Sequence, residues 1–439
     1  MAQRPLTTAP HGHVLTNAGV WTPDGEWIVY DVRSDPAGSR FDGTRIERVE
    51  VATGRVEVLY ASRNGACCGV VTASPADDRV VFILGPEDPT PEWSYGPARR
   101  RGIVVRTSVP GVAEDLDARD LVPPFTAGAL RGGSHVHQFS PDGRLVSFTY
   151  EDALLDGLPS SAGGERNLRA VGVSLCGKAV AVPATHPRNQ PGGAWSVLVT
   201  TLDDAPLPGS DEIVRACEEA WIGVDGYRRS DGTRQRRALA FQGTVVAPDG
   251  REVAEVFVAD LPDDDVAEGA LDRPGPGPIT GTARTRPRPP AGVSQRRLTT
   301  TTAREHPGIQ GPRHWLRSSP DGGRIAFLAR DDGGIVQLFT VSPLGGAPLQ
   351  VTRGSANVDS AFTWSPDGGR IACVIDGCIC LIDARDGAVS RVTGPDDGAP
   401  PRPEACVLSP DGRTVAFVRP VVRGSDAFNQ VFVAEVPGW

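Results

Sequence analysis

The chain has 439 residues, among them 52 glycines and 40 prolines, and a net charge of −9 at neutral pH. That charge excludes nucleic acid and an anionic membrane surface as main partners, and the lack of long helical periodicity points to many short strands. The length allows two or three ordinary domains, but a closed ring of blades accommodates residues 1–439 as one.

The N-terminus, MAQRPLTTAPHGH, has no apolar signal core, and no stretch is long and apolar enough to span a bilayer. The expectation is a soluble, reduced, cytoplasmic monomer. Eight cysteines occur without a CxxC pair, so a structural zinc is not expected; Cys378-Ile379-Cys380 is the nearest approach to one. Lys178 is the sole lysine, and arginine suits bidentate grip on carboxylates and phosphates.

A repeated turn organises the chain. Trp21-Thr-Pro-Asp-Gly25 opens a hairpin into Glu26–Tyr30, with Ile46–Val51 and Val56–Tyr60 completing a first unit. A degraded turn at Ser74–Asp78 precedes Arg79–Leu84, and Ser140-Pro-Asp-Gly143 precedes Arg144–Tyr150. Proline presets φ in such a turn and glycine accepts the positive φ that other residues resist. A fourth, irregular unit reads Glu218–Gly223, Arg237–Gln242, Glu255–Leu261 and Arg297–Thr300, interrupted at 262–294 by a stretch rich in Asp, Pro, Gly and Arg that reads as a disordered insertion. Units five to seven begin near His306, Asn357 and Arg402, with Ser-Pro-Asp-Gly at Ser319, Ser365 and Ser409. From Pro320 to Pro366 is 46 residues and from Pro366 to Pro410 is 44, a spacing typical of four-stranded propeller blades.

The last unit has three strands before the chain ends at Trp439. Arg4-Pro-Leu-Thr-Thr8 is similar to the Arg297–Thr301, Leu349–Thr352 and Arg391–Thr393 segments that end other units. It therefore supplies the missing outer strand, leaving no open sheet edge. The expected fold is all-β: a seven-bladed propeller of four-stranded antiparallel blades closed by the N-terminal strand, or six-bladed if Ala181–Pro262 is something else.

With the Pro-Asp-Gly turns on one face, all seven histidines (His11, His13, His135, His137, His186, His306 and His314) fall on the other. Strand alternation points His135 and His137 to one side. At that spacing two imidazoles can share a divalent metal, with His306, His314, Gln310 or Glu404 completing its shell. Arg131, Arg188 and Arg313 stand beside these imidazoles in sequence and suit an anionic ligand such as a sugar acid or phosphate. Trp93, Trp195 and Trp315 are candidates to stack on a sugar ring. The structural alternative for each is a hydrogen-bonded histidine, a packed indole or a loop-locking ion pair, and for Asp31–Asp35 the ion pair is the favoured reading. No G-x-S-x-G elbow, P-loop or dinucleotide fingerprint occurs.

The Ser-Pro-Asp-Gly hairpins followed by Ile-Ala-Phe or Val-Ala-Phe resemble the WD40-like (PD40) repeats of the TolB-type propeller. His11–Asn17, Val20–Asp35, Ala129–Gly143 and Gly209–Ile213 resemble a bacterial YidR-type family of unknown function, which implies the fold and no activity. The architecture is similar, more distantly, to oligogalacturonate lyase, a seven-bladed propeller with a histidine-bound divalent metal, usually manganese. That resemblance implies a metal on His135, His137, His306 and His314 that acidifies the proton beside a uronate carboxylate. Arg131, Arg188 or Arg313 would hold the acid, and His11 or His13 would act as base for β-elimination. The alternative is a non-catalytic TolB-like scaffold that binds a protein or a small anion or oligosaccharide.

Overall fold

The computed structural model describes residues 3–438 other than Asn17, Pro36, Ala37, Ser160, Ala162, 263–268, His314, Asp396, Asp397 and Ala405. Seven four-stranded antiparallel sheets form seven blades. Blade one holds Gly12–Val14, Trp27–Arg33, Arg45–Glu50 and Val56–Ala61, and blade two holds Cys68–Ala73, Arg79–Leu84, Arg101–Arg106 and Ala113–Asp115. Blade three holds Gly132–Phe139, Leu145–Asp152, Ala170–Val180 and Gly192–Leu198. Blade four, the irregular unit, holds Ile213–Trp221, Ala238–Val246, Glu252–Asp260 and Ser294–Arg297, which settles the blade count at seven.

The turns follow their chemistry. In Ser-Pro-Asp-Gly the serine hydroxyl donates to the aspartate two residues on, at 2.5 Å for Ser319–Asp321 and Ser365–Asp367. The same carboxylate oxygen accepts the backbone N–H two residues further, from Gly323 and Gly369 at 2.9 Å. These hydrogen bonds hold the Asp321 and Asp367 carboxyls below their ordinary range. Gly322 and Gly368 take φ of 74° and 69°, where a side chain would be strained. Beside the turns, indoles join neighbouring blades: Trp21, Trp221 and Trp364 donate Nε1–H to the Val407, Gln138 and Arg317 carbonyls of the preceding blade, each at 3.1 Å.

The ring closes as the repeat predicts. Gln3–Pro5 pairs antiparallel with Phe432, Val433 and Ala434 as the outer strand of blade seven. Leu6 is buried against Val431 and Val433 in a core shared with blades one and two. Thr7 Oγ1 donates to Gln430 Oε1 at 2.9 Å, Gln430 Nε2 donates to Ala9 O at 2.8 Å, and His13 Nδ1 meets Asn429 O at 2.8 Å.

The stretch after blade four's third strand is not a free loop, contrary to its composition. Residues 263–268 lie outside the described residues, but from 269 the chain docks onto blades three and four, with Ala270 and Leu271 buried. Its charges are paired rather than solvated: Arg286 with Asp204 at 2.5 Å, Arg288 with Glu165, and Asp272 with Lys178 at 2.8 Å. The low apolar content that reads as disorder is offset by these pairs.

Candidate anion-binding site

The long loop 85–100 after blade two's second strand organises the face opposite the turns. On its outer side lies a pocket of about 260 Å³ lined by Glu87, Trp93, Arg99, Arg101, Arg119 and Arg188, together with Asp88, Asn189 and Gln190. That volume is just under the range of about 300–1,000 Å³ usual for drug-sized ligands, so it suits a single sugar ring or a comparably small anion. Four arginines against Glu87 and Asp88 leave the lining at 4 − 2 = +2, on a chain whose net charge is −9. The lining's acids are partly occupied: Arg101 bonds Glu87 at 2.8 Å and, beyond the lining, Asp115 at 3.1 Å.

The remaining guanidinium groups bond mostly to neutral oxygens. Arg188 donates to the Glu87 and Asp88 carbonyls at 2.7 and 2.9 Å. Arg119 is buried, donates to the Arg100 carbonyl, and has its pKa lowered to about 10 by burial and by the Arg101 charge. Arg99 lies 5.5 Å from the Trp93 ring, touches Asp156 only at 3.8 Å, and its buried Nε has no acceptor. His186, 6.5 Å from Trp93, accepts the Arg188 N–H at Nδ1, so its neutral form carries the proton on Nε2 and is a donor. Larger cavities of about 430 and 390 Å³ lie elsewhere, by the turns of blades three and four and at the edges of blades two and three. The smaller pocket is preferred because its cation excess is the larger, +2 against 3 − 2 = +1 for the cavity of about 430 Å³, which also holds an indole, Trp221.

On the inner side of the same loop four groups stack in sequence. Arg33 lies 4.5 Å over Phe41, Phe41 stacks on Tyr95 at 4.8 Å, and Arg100 lies 5.3 Å from Tyr95. Arg33 also pairs with buried Asp31 at 2.5 Å, in keeping with the ion-pair reading of Asp31–Asp35. Cys67 and Cys68 beside this stack are free thiols, and burial raises both, Cys68 to about 12, so neither is a reactive thiolate.

The sequence-predicted residues are only partly gathered. A β-bulge between His135 and Gln138, with Val136 at φ 56°, interrupts the alternation that was to point His135 and His137 the same way. Equivalent bulges put Val70 at 59° and Glu218 at 58°, so three successive innermost strands carry strained left-handed residues. Both imidazoles are buried and neutral, His137 with its pKa lowered to about 4, and the Nδ1 of each is buried without a partner. His306 stands over the 331–334 turn of blade five, and His314 lies outside the described residues. Among the described residues no group of three metal-competent atoms includes His135, His137 or His306; the group found is His11, His13 and Glu47.

Three further corrections concern the arginines and one imidazole. Arg131, an expected acid-holding residue, is fully buried and bonds Asp152 and the Thr285 carbonyl, so it is structural. Arg313 is half-buried, 6.0 Å from Trp315, and does not line the pocket. His186 sits between blade three's outer two strands, a loop that the simple sorting of faces assigns to the turn side, yet it reaches blade two's loop through Arg188. Arg99, Arg101 and Arg119 were missed, although the run Arg99-Arg100-Arg101 after Trp93 and Tyr95 was a visible signal.

Near the axis, Glu219 is fully buried and accepts from Thr149 Oγ1 at 2.9 Å. Burial outweighs that bond and pushes its carboxyl from 4.5 up to about 7. A raised acid stabilises the fold below its unfolded pKa and loses that contribution as pH rises through the folded value. Raising pH from 5 to 9 should therefore lower wild-type stability through Glu219 by up to about 3 kcal/mol, a loss absent in Glu219→Gln, read from urea midpoints at both pH values. His13 and His137, both lowered to about 4, act with the opposite sign and cost stability as pH falls below 6.5.

Comparison with known proteins places this arrangement. Residues 67–190, which include every residue of the pocket lining, match a family described as a protein of unknown function, DUF3748. The uncharacterized protein YidR of Escherichia coli strain K12 is 44% identical over 418 residues, covering 95% of both chains. The chain belongs to the YidR family. Among solved structures, this YidR-family chain is similar to an oligogalacturonate lyase in complex with manganese (TM-score 0.57, 13% identity, 99% of this chain and 93% of that one). It is also similar to the oligogalacturonate lyase of Vibrio parahaemolyticus (TM-score 0.54, 9% identity, 99% and 93%). At these identities the likeness establishes the shared propeller fold of the YidR-family chain. Among the described residues no helix is long and apolar enough to cross a membrane.

Proposed function

We propose that this protein binds an acidic, uronate-like sugar in the Trp93 pocket and is a divalent-metal-dependent lyase acting on it. The cation excess around a half-exposed indole, on an acidic chain, carries the reading. Arg99, part-exposed and lining the pocket, offers guanidinium donors to a carboxylate, while Arg119 and Arg188, fixed by carbonyls, supply positive charge without reorganising. The indole supplies an apolar face for the ring.

For manganese or a similar cation the candidate ligands are the buried, unpartnered Nδ1 atoms of His135 and His137. These lie outside the Trp93 pocket lining and gather no third donor among the described residues, so the metal part of the reading is carried by the likeness to the manganese-bound oligogalacturonate lyase. When bound, such an ion would polarise the carboxylate and acidify the adjacent C–H for β-elimination. The protein's own residues orient the acid and hold its charge out of bulk water.

Arg99→Ala and Arg188→Ala, each with an unchanged thermal midpoint, should weaken binding of galacturonate oligomers tenfold or more, the worth of a charged hydrogen bond. The wild type should form unsaturated product from polygalacturonate only with added manganese. Binding without product would leave the non-catalytic scaffold as the function. No binding of either substrate would end the sugar reading.

A further inference from the structure

We infer that His11, His13 and Glu47 form a site for a first-row divalent cation of the zinc type at the seam where the ring closes. One ligand-competent atom from each lies within 4.8 Å of the others. The two imidazole rings stack with centroids 4.5 Å apart. His13 is buried, and its Nδ1–H donates to the Asn429 carbonyl at 2.8 Å, which leaves the lone pair on Nε2. That second partner fixes tautomer and ring orientation, as in metal-ligating histidines generally. His11 Nε2 is buried without a partner.

Glu47 is held by Tyr30 Oη on one oxygen at 2.9 Å and by Arg45 on the other at 3.2 Å, so each oxygen keeps a lone pair. Arg45 is the opposing charge that a bound ion must outweigh. It is 43% exposed and free to swing outward. Two neutral imidazoles and one carboxylate favour zinc-like ions over calcium or magnesium, and leave a fourth position open. Tetrahedral coordination needs ligand atoms about 3.4 Å apart. His11, half-buried on the bend before its strand, is the ligand able to close the gap.

The position gives the ion a role. The closing segment from Gln3 to Ala9 leads directly into His11, and Glu47 belongs to the third strand of blade one. A cation here would tie the closing segment to blade one across the joint with blade seven, stabilising the ring independently of the sugar pocket.

The test uses the metal-free full chain without sugar. One equivalent of Zn²⁺ should bind, and Co²⁺ in its place should show visible absorption of four-coordinate type. At a hundredfold excess over Kd, zinc should raise the unfolding midpoint by about 3 °C. His11→Ala and Glu47→Gln should each lose one equivalent relative to the wild type, and the shift, while Asp249→Asn, exposed on a turn of blade four, keeps both. Uptake unchanged in both His11→Ala and Glu47→Gln, or no uptake by the wild type, would overturn the site. Should His11→Ala not fold, Glu47→Gln decides alone.

Discussion

Arg131→Met is expected to destabilise the protein by about 3–5 kcal/mol, the usual cost of removing one partner from a buried ion pair. Arg131 is 0% exposed and Asp152 2%. The guanidinium reaches Asp152 Oδ2 through Nε at 3.1 Å and through a second nitrogen at 2.5 Å. The same oxygen accepts from Tyr150 Oη at 3.1 Å, while Oδ1 caps the short helix Ala153–Asp156 by accepting from Leu154 and Leu155 N–H. On its other side Arg131 donates to the Thr282 and Thr285 carbonyls, and Phe125 lies 4.9 Å from its charge.

One side chain thus joins blade three's innermost strand, its helix cap and the docked segment after blade four. Removing it leaves Asp152 buried beside a phenol and two carbonyls without donors. Asp152→Ala should cost a similar amount, and the double variant much less than the sum, because the two share one interaction. Urea unfolding of the three variants measures this; a loss below about 1 kcal/mol for Arg131→Met would contradict the assignment.

Deleting residues 3–8 should remove at least about 5 kcal/mol, comparable to the whole stability of many domains. Burial of Leu6 is worth about 1.5–3 kcal/mol, and each hydrogen bond lost at the seam about 1 kcal/mol. Beyond these sums, Ala434, Val433 and Phe432 would become an open edge, which favours association between chains. Leu6→Ala alone should cost about 2–5 kcal/mol. The deleted chain should be insoluble or melt well below the wild type, and a near-unchanged midpoint would refute closure by this strand.

The fold was legible because its determinants are local. A Pro-Asp-Gly turn with flanking apolar runs specifies a hairpin at short range, and its repetition specifies the ring. The closing strand was legible by likeness to other outer strands. The site was less so, for physical reasons that differ by residue. Arg131 and Arg188 look alike in sequence, each near a histidine, yet one is sealed against Asp152 and the other lines a pocket. Burial decides that, and burial depends on blades far apart in the chain.

The His135–His137 alternation failed on a one-residue bulge, which carries no glycine to announce it. The 262–294 stretch reads as solvated because its stabilising contacts are ion pairs with distant partners, Asp204 and Glu165 among them. His11 and His13 were visible as a pair, but Glu47, which sits beside them across two strands, was not.

The most direct measurement is a calorimetric titration of the wild type with galacturonate and with galactose at neutral pH, at low salt and at 0.5 M salt. Arginines facing a carboxylate predict binding of the acid alone, weakened as salt rises. Equal binding of the two sugars, or binding of the acid indifferent to salt, would contradict the assignment of the Trp93 pocket to an anionic ligand.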